Sequence, residues 1–165
     1  MKFRYRRVAV GGTFDRLHKG HKALLSKAFE EGVEVYLGLS SDSMIEDKKL
    51  AERVESFEKR LEALKAFLEE RGWVSRTKIV ELKRPEGLLL DDPSIEALVV
   101  SEETKKRAEE INEARVKKGL PPLSLVVIPM VKAEDGKPIS STRIRAGEID
   151  ENGRLLKKTV NQEEG

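Results

Sequence analysis

Short apolar runs rich in β-branched residues alternate along this chain with charged stretches of helical spacing. That alternation restricts the fold more than any other feature. Residues 8–10, 33–39, 77–82, 95–100 and 123–128 read as strands, and 20–31, 52–71 and 102–118 as helices. The second helical stretch carries apolar residues at 54, 57, 61, 64, 67 and 68, a one-face spacing of three and four. Gly72 and Gly119 stand where helix C-caps are expected, and the pair Gly11-Gly12 is expected to end the first strand. Strands joined by helices of this length need right-handed crossovers and a parallel sheet. The expectation is therefore an α/β fold: a Rossmann-like, doubly wound, parallel five-stranded sheet with helices on both faces. The near-continuous apolar run Ala97-Leu98-Val99-Val100 fits a sheet covered on both sides. Ligands of such sheets bind beyond the carboxyl ends of the strands, where the winding reverses. Function is thus to be sought just after Val10, Leu39, Val100 and Ile128.

Composition narrows the classes of function. The 165 residues suit one domain, read here as 1–150 followed by a C-terminal tail, 151–165. Thirty-two Lys and Arg face thirty Asp and Glu, so the net charge is only +2 although 38% of residues are charged. That balance argues against a disordered polyelectrolyte and against nucleic-acid or membrane-surface binding, which need a basic excess. Without cysteine there is no disulfide, zinc–thiolate site or thiol nucleophile. No apolar run approaches the ~20 residues of a membrane span, and the short run after the basic start is no signal-peptide core. A cytoplasmic location is expected. Three Asn and one Gln against many Lys and Glu suggest a thermophilic source.

The segment after the first strand reads Gly11-Gly12-Thr13-Phe14-Asp15-Arg16-Leu17-His18-Lys19-Gly20-His21, with both histidines of the chain three residues apart. A helix starting near Lys19 puts both imidazoles at its mouth, where unpaired backbone N–H groups and the helix dipole favour a phosphate. Gly20 has no side chain to obstruct a nucleotide laid over the turn. Taken alone, the segment is equally well explained as a capped loop with two surface histidines. A metal pair fits less well, because no further Cys or His completes a zinc set. After the fifth strand comes Ile139-Ser140-Ser141-Thr142-Arg143-Ile144-Arg145. Its hydroxyls and helix-start N–H groups suit phosphate oxygens, and guanidinium forks match phosphate well. An ordinary N-cap with solvated arginines explains that segment about as well. Together the two are stronger, because the crossover rule brings both to one sheet edge.

Gly12-Thr13-Phe14-Asp15, His18-x-Gly20-His21 and Ile139-Ser140-Ser141-Thr142-x-x-Arg145 resemble the motifs of the HxGH nucleotidyltransferase superfamily. Within it, the segments 11–21 and 98–104 are most similar to phosphopantetheine adenylyltransferases of the archaeal type, and the resemblance runs from Val8 to about Gly147. It implies transfer of AMP from ATP to 4′-phosphopantetheine, giving dephospho-CoA and pyrophosphate in coenzyme A biosynthesis. Mg²⁺ would come with the ATP, and no metal-ligating residue is assigned. The resemblance makes Thr13 the residue that orients the attacking phosphate and His21 the one that stabilises charge on the α-phosphate. It makes His18 a further phosphate contact, and Lys48 or its neighbour Lys49 the lysine on the reacting phosphates. Gly11, Gly12, Thr13, Phe14, His18, Gly20 and His21 would bind ATP. So would Ser140, Ser141, Thr142 and Arg145, the three hydroxyl residues holding the β- and γ-phosphates.

These residue types suit the chemistry. An attacking phosphate is already an anion, so catalysis reduces to aligning two anions and neutralising charge on the transferred group. Asp15 is expected to be structural rather than a Mg²⁺ ligand. The sequence departs from bacterial relatives after the fourth strand, where Ser101-Glu102-Glu103-Thr104 replaces an Arg-Gly-x-Arg segment. The following Lys105, Lys106 and Arg107 read as a solvated helix face. Two alternatives remain at this level. One is a related nucleotidyltransferase with a polyol, sugar or flavin phosphate as acceptor; the other is a nucleotide-binding sensor without catalysis. The sequence leaves the oligomeric state open.

Overall fold

The computed structural model describes residues 3–45 and 51–156. In chain order it contains β1 (Tyr5–Gly12), α1 (Lys19–Glu31), β2 (Gly32–Ser40), α2 (Phe57–Arg71), β3 (Thr77–Leu82), β4 (Ala97–Ser101), α3 (Lys105–Lys117), β5 (Ser124–Ile128) and α4 (Ser141–Arg145). All five strands are parallel, in the order β3-β2-β1-β4-β5. Alternate strand residues feed two cores. Val8, Val10, Val35, Leu37, Ala97 and Val99 pack with α1 and α2 on one face. Ala9, Leu98 and Val100 pack with Ala108 and Ile111 of α3 on the other. The doubly wound Rossmann-like sheet expected from the alternation is the observed one, and its winding reverses between β1 and β4.

That reversal opens the sheet. β1 pairs with β4 only at Val8–Ala97 and Ala9–Leu98, whereas β1 stays paired with β2 through Gly12, and β4 with β5 through Ser101. Beyond Ala9 the two central strands part, and a cleft lies between their carboxyl ends.

Several element boundaries differ from the sequence reading. Gly11 and Gly12 do not break β1; they continue it, opposite Gly38 and Leu39. A Cβ at either would meet its neighbours at ordinary contact distance, so the pair leaves the cleft open rather than forcing a turn. α2 starts at Phe57 instead of residue 52, because the Ser56 side chain caps Lys59 N–H. α3 starts at Lys105, after a turn in which Thr104 N–H reaches the Ser101 carbonyl. Gly72 and Gly119 have the positive φ of helix ends, +72° and +83°. Residues 151–156, expected in a peripheral tail, are integrated: Lys19 N–H donates to the Glu151 carbonyl and Glu134 N–H to that of Gly153. Among the described residues, no helix is long and apolar enough to cross a membrane.

Candidate active site

The turn after β1 is held in a conformation its residues would not choose. Phe14 and Arg16 have φ of +50° and +53°, and for a bulky residue such backbone needs outside support. Asp15, between them, supplies much of it. Its fully buried carboxylate accepts from Arg145 Nη1 at 2.8 Å and from Glu55 N–H at 2.8 Å. Its carbonyl accepts from Ser141 Oγ at 2.9 Å, and Arg16 N–H donates to Glu55 Oε1 at 3.0 Å. Arg53 closes the set, donating to the Arg145 carbonyl at 2.9 Å. Asp15 therefore ties the histidine segment to α4 through both its side chain and its backbone.

The histidines cap α1 for each other. His18 Nδ1 accepts from Gly20 N–H (3.0 Å) and His21 N–H (3.3 Å), while His18 N–H donates to His21 Nδ1 (3.2 Å). The rings stack at 3.6 Å between centroids, and Phe14 tilts against His21 at 5.2 Å. Since each Nδ1 accepts, each neutral ring carries its proton on Nε2, which is left as its single donor. Burial pushes the His18 imidazole down to about 4, only partly opposed by the Asp15 charge. Burial, and then the proximity of His18, hold His21 well below the ordinary histidine value. Both are neutral at pH 7.

This geometry revises how α1 meets an anion. Its first N–H groups are already taken, Lys19 by Glu151, Gly20 and His21 by His18, and Lys22 by the His18 carbonyl. The unpaired groups expected at this helix start are not there; the imidazoles stand in their place with Nε2–H. Gly20 is also needed by the fold of the turn itself. A Cβ there would lie 2.8 Å from His18 Cε1, so glycine makes room for the capping ring. Phe14, expected among ATP-binding residues, is a core residue that braces His21.

At the other segment, Ser140 caps α4 through Arg143 N–H, and Thr142 Oγ1 accepts from Arg145 Nη2 at 3.2 Å. Arg145 is buried and paired with Asp15, so it braces the segment from behind. Arg143 is engaged by Asp135 at 2.6 Å and Glu148 at 2.8 Å. Lys48 and Lys49 lie outside the described residues.

Beside these groups, at the parting of β1 and β4, is a cavity of about 530 Å³. Gly11, Gly12 and Thr13 form one side, Val99 to Ser101 another, and Leu82, Leu88 and Leu89 an apolar wall. His18, His21 and the hydroxyls of α4 are outside its lining, so Thr13 is the expected phosphate contact that also borders the cavity. Arg107 lines it too; like Lys105 and Lys106 it is exposed, so the trio is the solvated face expected, with Arg107 also at the rim of the cavity. No group of three His, Asp or Glu residues able to hold a metal occurs among the described residues. Asp15, with both oxygens committed and no exposure, does not fit a metal ligand.

Sequence reasoning missed Arg60, Glu55 and Arg53, which brace the turn from outside it. Arg60 had a legible signal: a lone charge on the apolar stripe of α2, among 57, 61 and 64. Arg53 and Glu55 had none, because their partners are distant in sequence.

The chain matches the cytidylyltransferase-like family over residues 9–147. It is 51% identical to a phosphopantetheine adenylyltransferase of Thermococcus kodakarensis, with 94% of each chain covered. It is also 51% identical to one of Methanopyrus kandleri, covering 90% of this chain and 93% of the other. A crystal structure of a protein of unknown function from Archaeoglobus fulgidus superposes with a TM-score of 0.67 at 35% identity, over 74% of this chain and 88% of that one. With motifs, fold and relatives in agreement, the chain belongs to the cytidylyltransferase-like family, in its branch of archaeal phosphopantetheine adenylyltransferases.

Proposed function

We propose that the protein transfers AMP from ATP to 4′-phosphopantetheine, forming dephospho-CoA and pyrophosphate. The observation that carries this reading is the Asp15 junction, which holds the neutral histidine pair and the α4 hydroxyls at one sheet edge beside an apolar cavity. The acceptor's phosphate sits at Thr13 and its pantetheine arm enters the cavity. The triphosphate spans His18, His21 and the hydroxyls of Ser140, Ser141 and Thr142, with Lys48 or Lys49 on the reacting phosphates. An oxygen of the acceptor phosphate attacks the α-phosphorus in line. One P–O bond forms, the bond to the β-phosphate oxygen breaks, and the electron pair leaves on pyrophosphate. No proton need be removed from the nucleophile, which is why neutral Nε2–H donors serve: they stabilise charge without titrating. Mg²⁺ enters with the nucleotide as part of the substrate, neutralising phosphate charge and retaining waters.

The test is pyrophosphate release from ATP and Mg²⁺ with 4′-phosphopantetheine, compared with glycerol phosphate, a sugar phosphate and flavin mononucleotide as acceptors. The expected result is turnover with 4′-phosphopantetheine at least ~10²-fold above the others, since its slender, flexible arm is the one proposed to enter the cavity with its phosphate at Thr13. Equal or greater turnover with another acceptor, or none with any, overturns the reading.

A further inference from the structure

We propose that Arg60, in the second turn of α2, is a positioning residue that sets Thr13 for the acceptor phosphate; the inference rests on the function proposed above. Its side chain is fully buried, yet its one carboxylate partner among the described residues is Asp42, whose side chain is 62% exposed. A charge buried this way is costly, and an apolar residue would have completed the stripe of α2 more simply. The guanidinium is occupied with backbone. Nη1 donates to the Thr13 carbonyl at 3.0 Å and the Ser40 carbonyl at 2.7 Å, Nε donates to the Glu55 carbonyl at 2.9 Å, and Nη2 to Asp42 Oδ1 at 3.0 Å. Phe57 lies 5.8 Å from it.

Those three carbonyls follow β1, end β2 and precede α2. One planar fork therefore fixes the ends of β1 and β2, both of which line the cavity, to the segment that clamps Asp15 and Arg16. The contact to Thr13 matters most. A held carbonyl fixes the peptide plane that follows it, and here that plane leads into Phe14 at φ +50°. Released, Thr13 and Phe14 can relax toward ordinary backbone, and Thr13 leaves its place in the lining of the cavity. A misplacement of about 1 Å at a reacting phosphate is enough to lower turnover about a hundredfold. ATP is affected less, because the bonds from Asp15 to Arg145 and Ser141 that hold the α4 hydroxyls do not involve Arg60.

The experiment is a double-mutant cycle. Arg60→Lys and Arg60→Met are made alone and with Thr13→Ala, folding is followed by circular dichroism and melting, and both substrates are varied in steady-state assays. Arg60→Lys is expected to fold and to lower kcat about thirtyfold, with the KM for ATP changed less than about threefold. In the Thr13→Ala background the same change should cost less than about threefold, because the two residues act as one unit. Additive losses, an unchanged kcat, or failure of both single variants to fold would each overturn the assignment, the last making Arg60 a folding residue. A wild-type chain inactive with every acceptor sinks the functional reading and this inference with it; additive losses in an active enzyme sink this inference alone.

Discussion

His18 and His21 illustrate what a single residue reveals and what it conceals. Their spacing beside Gly20 was legible, but the reciprocal capping depends on which nitrogen faces the backbone, and no sequence states that. The consequence is a defined acid sensitivity. A free imidazole takes a proton near 6.5, whereas folded His18 resists until about 4. Below 6.5 the unfolded chain therefore binds more protons than the native one, and stability falls as pH falls. The contribution of His18 is fully present above 6.5, is lost progressively down to about 4, and amounts to about 3 kcal/mol. His21→Ala would confound cap and chemistry, but His18→Asn separates them, because asparagine caps helices and does not titrate. Melting between pH 7 and 4 should show a clearly smaller decline for His18→Asn than for wild type. Identical declines would mean that the His18 cap is not what acid breaks.

At the scale of elements, periodicity and β-branched runs placed every strand and every long helix, but the ends were decided by local bonds. α2 lost five expected residues to the Ser56 cap, and the segment before it became the brace that carries Arg53 and Glu55. β1 gained its glycines because β2 continues to pair with them while β4 does not. The cleft thus arises from unequal strand pairing, which the apolar pattern could locate only as a switch point. The far wall of the cavity is a 3-10 turn, Gly87–Leu90, and it too is held by a buried arginine. Arg115 of α3 donates to the carbonyls of Leu89 (2.6 Å), Asp92 (3.1 Å) and Pro121 (2.8 Å). A lysine there keeps the charge but reaches fewer of the three. Arg115→Lys is expected to raise the KM for 4′-phosphopantetheine about tenfold, the equivalent of one such bond, and to leave that for ATP unchanged. A matching rise for ATP would show that the wall serves the whole site and not the acceptor arm.

Across the whole molecule, the balance of charge divides into two populations. Exposed and half-buried groups form small networks: Asp91 between Arg84 and Lys118, Arg143 between Asp135 and Glu148, and Lys27 with Glu30. Each exposed pair is worth little alone, and such networks count for more at high temperature. Four of the buried groups, Asp15, Arg60, Arg115 and Arg145, do something else: they hold strand ends, turns and α4 in register around one cleft. The net charge of +2 excluded a general polyanion binder but could not reveal this division, which depends on burial. On the function proposed above, the site aligns two phosphate substrates and AMP passes directly from ATP to the acceptor phosphate. Incubation with ATP, Mg²⁺ and labelled pyrophosphate tests this most directly. Label is expected to enter ATP only when 4′-phosphopantetheine or dephospho-CoA is also supplied. Label entering ATP in their absence would require an adenylylated protein and would contradict direct transfer.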